Sequence, residues 1–433
     1  MKRNKVKFIN YKKKEFDAVF KNLFSNRGKS KKDVSLIVSD ILSQIEVKGD
    51  NALLSMIRKY DKYYVNNLSE IKIDFKTLRK SFDELPVKQK ESLLFASKRI
   101  KFFHEKQIPK PFEFEDDLGV KLGVKFDPIE SVGLYVPGGK ALYPSSVLMT
   151  SIPALVSGVK NRIMVSPILN INPPQIILAA AYLAEVTELY TMGGAHAIAS
   201  LAYGTRSIPK VDKIVGPGNS FVSEAKRQVF GKVGIDSIAG PSEILVLSDN
   251  KNDPTWVAYD LLSQSEHDED AQSILITDDI KFGKEVELSI QDALKVLPRK
   301  KIASESWYNN GAIIIVDDLN DSIDLINQIA PEHLELSIQN PNSFLKKIKN
   351  AGSIFVGRYT PEAIGDYVAG PNHVLPTGGT ARFSSGLGVE DFFKRSTFIE
   401  CNKQNMLILR KHASVLADIE GLDAHKISMN IRN

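Results

Sequence analysis

The 433-residue sequence predicts an α/β protein: two parallel-sheet units, a helical amino-terminal region and a helical tail. Three observations carry this. Short apolar runs alternate with helix-length segments in two series, from VGLYV to KIVG and from SEILVLS to GSIFVG, the pattern of strands joined by crossover helices. Before the first series, apolar residues recur at three- and four-residue spacing. The length also exceeds what one hydrophobic core comfortably fills.

The elements follow in order. MKRNKVKFINYKKKEF and GKSKKD are basic, and with no aromatic-interleaved motif behind them they read as a solvated arm, residues 1–26, rather than a nucleic-acid patch. SLIVSDILSQIEVKGDNALLSMIRKYDKYY and LPVKQKESLLFASKRIKFFHEKQ have helical periodicity. VGLYV then meets a Pro-Gly-Gly turn and a helical segment through YPSSVLM. NRIMVSP is a buried-strand pattern, PPQIILAAAYLAE a helix, and ELYTM a strand with the small-residue helix GGAHAIASLAYG behind it. KIVGPGNSFVSEAKRQVFG repeats strand, glycine turn and helix. The second series runs SEILVLSD, WVAYDLLSQSE, SILIT, GAIIIVDD, NDSIDLINQIA and GSIFVG. The glycine-rich loop GDYVAGPNHVLPTGGTARFSSGLG and a mostly helical tail complete the chain. Packing the helical amino-terminal half on the second series would make the first an insertion. The expected domains are then 27–130 with 241–385, an inserted unit 131–240, and a tail 386–433.

Composition narrows the class. With 43% hydrophobic and 25% charged residues the chain is of ordinary globular make-up, and its net charge of +5 is concentrated at the amino end. One cysteine, Cys401, excludes an internal disulfide. No apolar run approaches the roughly 20 residues of a spanning helix, and no apolar segment follows the first lysines as in a signal peptide. A cytoplasmic enzyme or binding protein, without nucleic-acid or membrane partners, is expected.

Several stretches could carry chemistry. No stretch completes the G-x-G-x-x-G fingerprint, but Gly216-Pro217-Gly218-Asn219 and Gly193-Gly194-Ala195 each join a strand to a helix and could offer backbone N–H groups to a diphosphate. Turn glycines serve tight connections more often than phosphates. In LSQSEHDEDA, Gln264 and His267 lie three apart and would share a helix face if the helix persists; the segment reads either as a wet acidic helix end or as part of a metal site. APEHLEL sets Glu332 beside His333, a pairing suited to acid–base work only if a turn keeps both on one side. The long loop carries Asp366 and His373, and the tail Glu420 and His425. Glycine-rich loops of this length are usually functional or disordered, and aromatics with prolines argue against disorder.

Together, VGLYVPGG, YPSSVLM, KIVGPGNSFVSEAKR, AGPSEILV, LSQSEHD, APEHLEL, AGSIFVG, GDYVAGPNHVLPT and EGLDAHK strongly resemble the histidinol dehydrogenase family, in order over nearly the whole chain. The resemblance implies two incomplete Rossmann-like domains of aldehyde-dehydrogenase-like fold, and a zinc-dependent oxidation of L-histidinol to L-histidine with two NAD through an aldehyde. It also implies a homodimer whose tail reaches the partner's site. By motif position the zinc ligands would be Gln264, His267, Asp366 and His425, and the acid–base residues Glu332 and His333. Substrate contacts would fall on Ser242, His373 and Glu420 besides Gln264, His267, His333, Asp366 and His425. Cofactor contacts would fall on Tyr135, His196 and Asn219.

One position departs from the family pattern: GGAQAIA is usual, and this chain has GGAHAIA, with His196 where a carboxamide is expected. An imidazole donates one hydrogen bond without the carboxamide's paired acceptor. Cys401 follows Glu400 with no glycine turn, so a thiolate route for the aldehyde step is not expected. Two rival readings are a zinc- and NAD-dependent dehydrogenase of another amino alcohol or sulfonate, and a two-domain solute-binding protein. His373 and Glu420 favour an imidazole-bearing amino alcohol over the first. The number of ionisable groups, beyond recognition needs, speaks against the second.

Overall fold

EILVLS is buried at all six positions, which a strand covered on both faces requires. It is the centre of the first of three sheets in the computed structural model, which describes residues 6–14, 16–24, 27, 33–138, 142–167 and 173–432. Numbering strands along the chain, this sheet has the order β1 (Lys7–Asn10), β12 (Ala312–Ile315), β11 (Gln272–Thr277), β10 (Glu243–Ser248), β13 (His333–Ser337), β14 (Ser353–Val356). All its pairings are parallel.

The second sheet runs β2 (Lys72–Ile73), β7 (Glu188–Tyr190), β6 (Asn161–Val165), β5 (Ser131–Tyr135), β8 (Lys213–Val215), β9 (Gly234–Ile235). It is parallel except for β2, which lies antiparallel on the edge. A third, antiparallel sheet joins β15 (Phe393–Glu400), β4 (Lys121–Pro128) and β3 (Phe112–Glu115).

Each parallel sheet winds outward from its first long strand in both directions, so the topology switches between β5 and β8 in one and between β10 and β13 in the other. Crevices for ligands form at such switch points, beyond the carboxyl ends of the strands. In the second sheet that end offers Tyr135 and the turn beginning at Gly216. In the first sheet it is filled from within. The Arg358 guanidinium holds both Asp249 carboxylate oxygens at 2.6 and 2.7 Å, and Asn252 bridges the hydroxyls of Ser248 and Ser337 at 2.8 and 2.9 Å.

Two expectations are corrected. The helices at Ser35–Lys48, Phe75–Asp83 and Val87–Glu105 pack chiefly on helices of the second sheet; of the 241–385 unit, the last also meets the loop at 368–370, Arg99 donating to the Val368 and Ala369 carbonyls at 2.6 and 3.0 Å. Val38, Ile41 and Ile45 share a core with Ile198 and Leu201, and Leu93 and Ile100 share one with Val132 and Leu134. β2 even extends that sheet. The basic arm, where described, is no free arm either: β1 pairs with β12, and Phe16 and Phe20 are buried beneath it. Residues 1–5, most of GKSKKD and Gly139 of the Pro-Gly-Gly turn lie outside the described residues.

The tail follows from β15 into helices at Lys403–Ile419 and Asp423–Asn430, which pack on each other. They leave Val415, Leu416, Ile419, Ile427 and Ile431 exposed. No helix among the described residues is long and apolar enough to cross a membrane.

Candidate active site

The helix Ser322–Ile329 ends on Ala330 in a left-handed conformation (φ 49°), and Pro331 cannot continue it. Glu332 follows in the turn, and β13 starts at His333. The pair therefore straddles a strand start, where neighbouring side chains normally diverge. Both nonetheless reach Glu243, the first residue of β10. Glu332 Oε2 accepts the Glu243 N–H at 2.7 Å, and His333 Nδ1 lies 3.0 Å from the Glu243 carbonyl. A carbonyl can only accept, so Nδ1 carries the proton and Nε2 keeps its lone pair. The two side chains come within 3.6 Å of each other.

Glu243 is itself fixed: its carboxylate pairs with the Arg27 guanidinium and accepts the Gly378 N–H at 3.1 Å. Gly352 closes the other side. Its N–H donates to the Pro331 carbonyl at 2.9 Å, and a Cβ there would stand 2.6 Å from the Glu332 carbonyl oxygen.

Around this pair the carboxyls differ sharply. Burial, then the Glu243 carboxylate, raises Glu332 well above the usual carboxylate range. Burial lowers His333, which keeps its imidazole neutral and able to take a proton. Burial, then repulsion from Asp366, pushes Glu362 up to about 9. For Asp366 burial acts upward, but the His373 hydrogen bond and the surrounding imidazoles of His373, His333 and His267 outweigh it and hold the group down at about 2.

Asp366 gathers the neighbouring imidazoles. It sits in a short helix, Glu362–Tyr367, rather than in the loop the sequence suggested. His267 Nε2 is 3.9 Å from one of its oxygens and His373 Nδ1 is 3.6 Å from the other. His373 Nδ1 donates to the Asp366 carbonyl at 3.1 Å, leaving Nε2 to accept the Ser146 hydroxyl at 3.2 Å. That bond, with Asn372 donating to the Met149 carbonyl at 2.6 Å, ties the loop to the helix Pro144–Val156 of the second sheet. The site thus spans both parallel-sheet units.

The donors present fit a divalent metal. The helix Pro254–Ser265 stops short of His267, which is carried by the following turn, its N–H donating to the Gln264 carbonyl at 3.2 Å. Gln264 is buried and its Oε1 makes no hydrogen bond to the described residues; neither does Glu362 Oε1, which lies 3.6 Å from His333 Nε2. Orphaned buried oxygens of this kind call for a ligand. His333, Glu362 and Asp366 also present ligand atoms within 4.8 Å of one another. His425 and Glu420 are not brought here: both are exposed, Glu420 closing one tail helix and His425 within the next. Ser242 is half-buried immediately before Glu243, its carbonyl taken by the Gln272 N–H at 2.9 Å.

On the dinucleotide side, Tyr135 ends β5, buried, its hydroxyl accepting the Gly194 N–H at 3.1 Å. Burial raises that phenol to about 12. Gly216 (φ 113°) crosses directly above it, where a Cβ would lie 2.0 Å from the Tyr135 carbonyl oxygen; only glycine fits. Asn219 caps the helix Ser220–Val229 with its side chain, accepting from Phe221 and Val222 at 3.1 and 3.2 Å. His196 is buried, Nε2 at 2.9 Å from Asp61.

Glu243, Glu362 and Ser146 were not singled out in the sequence. Glu362 had a signal, lying four residues before Asp366 on one helix face. Glu243 had none, because the N–H and carbonyl that orient the pair are backbone groups.

The family profile described as histidinol dehydrogenase matches residues 25–433. Histidinol dehydrogenase 1 of Nostoc sp. (strain PCC 7120) is 52% identical over 423 residues, covering 97% of this chain and 96% of that protein. Histidinol dehydrogenase of Acinetobacter baylyi is 49% identical over 417 residues, covering 96% and 97%. The crystal structure of histidinol dehydrogenase from Elizabethkingia anophelis superposes with a TM-score of 0.92 at 34% identity, over 99% of this chain and 98% of that one. Sequence over the full length and fold agree, and the chain belongs to the histidinol dehydrogenase family of NAD-dependent oxidoreductases.

Proposed function

We propose that the chain oxidises L-histidinol to L-histidine in two NAD-linked steps at the site around Glu332 and His333. The observation that carries this reading is the convergence of that pair on Glu243 beside the Asp366 cluster. A neutral, buried imidazole whose Nε2 keeps its lone pair would take the proton of the substrate hydroxyl as the first hydride leaves. Glu332 then takes a proton from water, which adds to the aldehyde carbon to give the hydrate oxidised in the second step. NAD, when bound, supplies the hydride acceptor; the crevice at Tyr135, Asn219 and the turn preceding His196 is assigned to it, which makes the second-sheet unit the cofactor side.

Gln264, His267 and Asp366 are assigned as ligands of a zinc ion, with His425 supplied by the tail of a second copy. The orphaned Gln264 oxygen and the exposed apolar face of the tail support this. Zinc would supply a fixed positive charge that orients the imidazole and amino group of the substrate. Ser242, His333, His373 and Glu420 complete the substrate surroundings, and the reaction is placed in the cytoplasm.

The test is NADH formation with L-histidinol. Two NADH per histidinol are expected, abolished by a chelator and restored by zinc. No turnover by metal-loaded protein would overturn the reading.

A further inference from the structure

The two glycine turns of the second sheet are closed from inside in the same way. At Gly216 the N–H donates to Asp236 at 2.7 Å, and that carboxylate pairs with Lys226, which lies on the helix the turn opens. At Gly193 the N–H donates to Asp61 at 3.4 Å, and that carboxylate pairs with His196, again on the helix the turn opens. The next amide, Gly194, donates to the Tyr135 hydroxyl. The amides of Gly193 and Gly194, which open the helix Gly194–Tyr203 and which a diphosphate would otherwise use, are therefore already engaged.

Asp61 comes from far away in the sequence, at the end of a π-helical turn, Ile57–Asp61. Tyr60, beside it, stacks on the His196 ring at 6.0 Å between centroids. The imidazole also lies against the turn: a Cβ at Gly194 would be 3.6 Å from it. His196 is 1% exposed, so its edge is turned into the protein and not into the crevice.

We propose that Asp61 and His196 form a strut that fixes the Gly193–Gly194 turn, and through it the Tyr135 hydroxyl, at the dinucleotide crevice. His196 is then a positioning residue and not a cofactor contact. This rests on the assignment of Tyr135 to the cofactor side. Chain geometry gives the strut its leverage: it ties the amino-terminal helical region to the turn whose amide meets the tyrosine hydroxyl.

NADH titration by fluorescence on the full-length protein, with steady-state kinetics, tests it. His196→Leu and Asp61→Ala should each weaken NADH binding and raise the KM for NAD about tenfold, while kcat at saturating NAD and the KM for histidinol stay within about twofold. The double variant should bind no more weakly than the worse single one, because either change breaks the same contact. Asp61→Asn, whose carboxamide oxygen still accepts both N–H groups, should stay within about threefold of the parent. Additive losses, about a hundredfold in the double variant, would overturn the strut and make His196 act on the dinucleotide itself. Unchanged NADH binding in both singles would overturn it too. Tyr135→Phe separates the two readings: if it leaves NADH binding intact, the crevice assignment fails, whereas weakened binding beside silent strut variants removes the strut alone. Thermal melts of each variant show that it folds.

Discussion

Burial and the Glu243 carboxylate raise Glu332 well above the usual carboxylate range. The surroundings that raise its pKa also make its conjugate base a stronger proton acceptor, as a water-activating residue needs. Glu332→Gln keeps the size and one acceptor oxygen but removes the base. Histidinaldehyde oxidation should fall about 10²- to 10⁴-fold. Histidinol oxidation to the aldehyde, assigned to His333, should fall much less, and single-turnover NADH formation on the two substrates measures both. Equal losses would remove the water-activation role. Glu332, His333 and Asp366 were all legible as residues because acid–base and ligand types stood out in turns and loops. Their mutual geometry was not: two neighbours at a strand start diverge by rule, and only the backbone of Glu243, silent in the sequence, brings them to one place.

Between elements, the helix Pro254–Ser265 meets β13 through two acids, Asp260 and Glu335. Burial raises both, Glu335 well above the usual range with repulsion from Asp260 added, and Asp260 to about 6. A carboxyl whose folded pKa exceeds its unfolded value of 3.8 stabilises the fold fully below that value. The contribution is lost as pH rises through the folded value. The chain should therefore lose stability between about pH 4 and pH 6 from Asp260 alone, on the order of 3 kcal/mol at most. Asp260→Asn cannot ionise, so its melting temperature should be flatter across that window. Parallel curves for parent and variant would show that Asp260 titrates normally. The elements themselves were legible because their periods differ: GAIIIVDD and SEILVLSD cannot be read as amphipathic helices. Which sheet the amino-terminal helices cover was not, since an apolar stripe such as Val38, Ile41 and Ile45 fits any apolar partner. The arm was misread for a related reason. Charge is a local signal, whereas the parallel pairing of β1 with β12 spans three hundred residues and leaves no local trace.

At the scale of the whole molecule, the Glu332–His333 pair lies at the amino ends of β10 and β13, opposite the carboxyl-end switch point that Asp249 and Arg358 seal. It faces the second unit through the loop tied to Ser146. The tail is the part this arrangement leaves unused: the His425 side chain makes no hydrogen bond or ion pair with the described residues, and apolar residues around it stay exposed, Ile419 by 77% and Ile431 by 68%. A second copy that covers this face would bring His425 to the Gln264, His267 and Asp366 donors of its neighbour, and the reciprocal contact would follow by two-fold symmetry. His267→Asn and His425→Asn should each strip zinc and activity from the homodimer. In a heterodimer of the two, one site would carry both defects and the other neither. Random re-pairing makes half the dimers mixed, so about a quarter of the parent activity should return. Zinc should return with it, to the same fraction, as read by metal analysis of the re-paired protein. Mixed dimers, isolated by two tags and still inactive, would mean that each site is built within one chain.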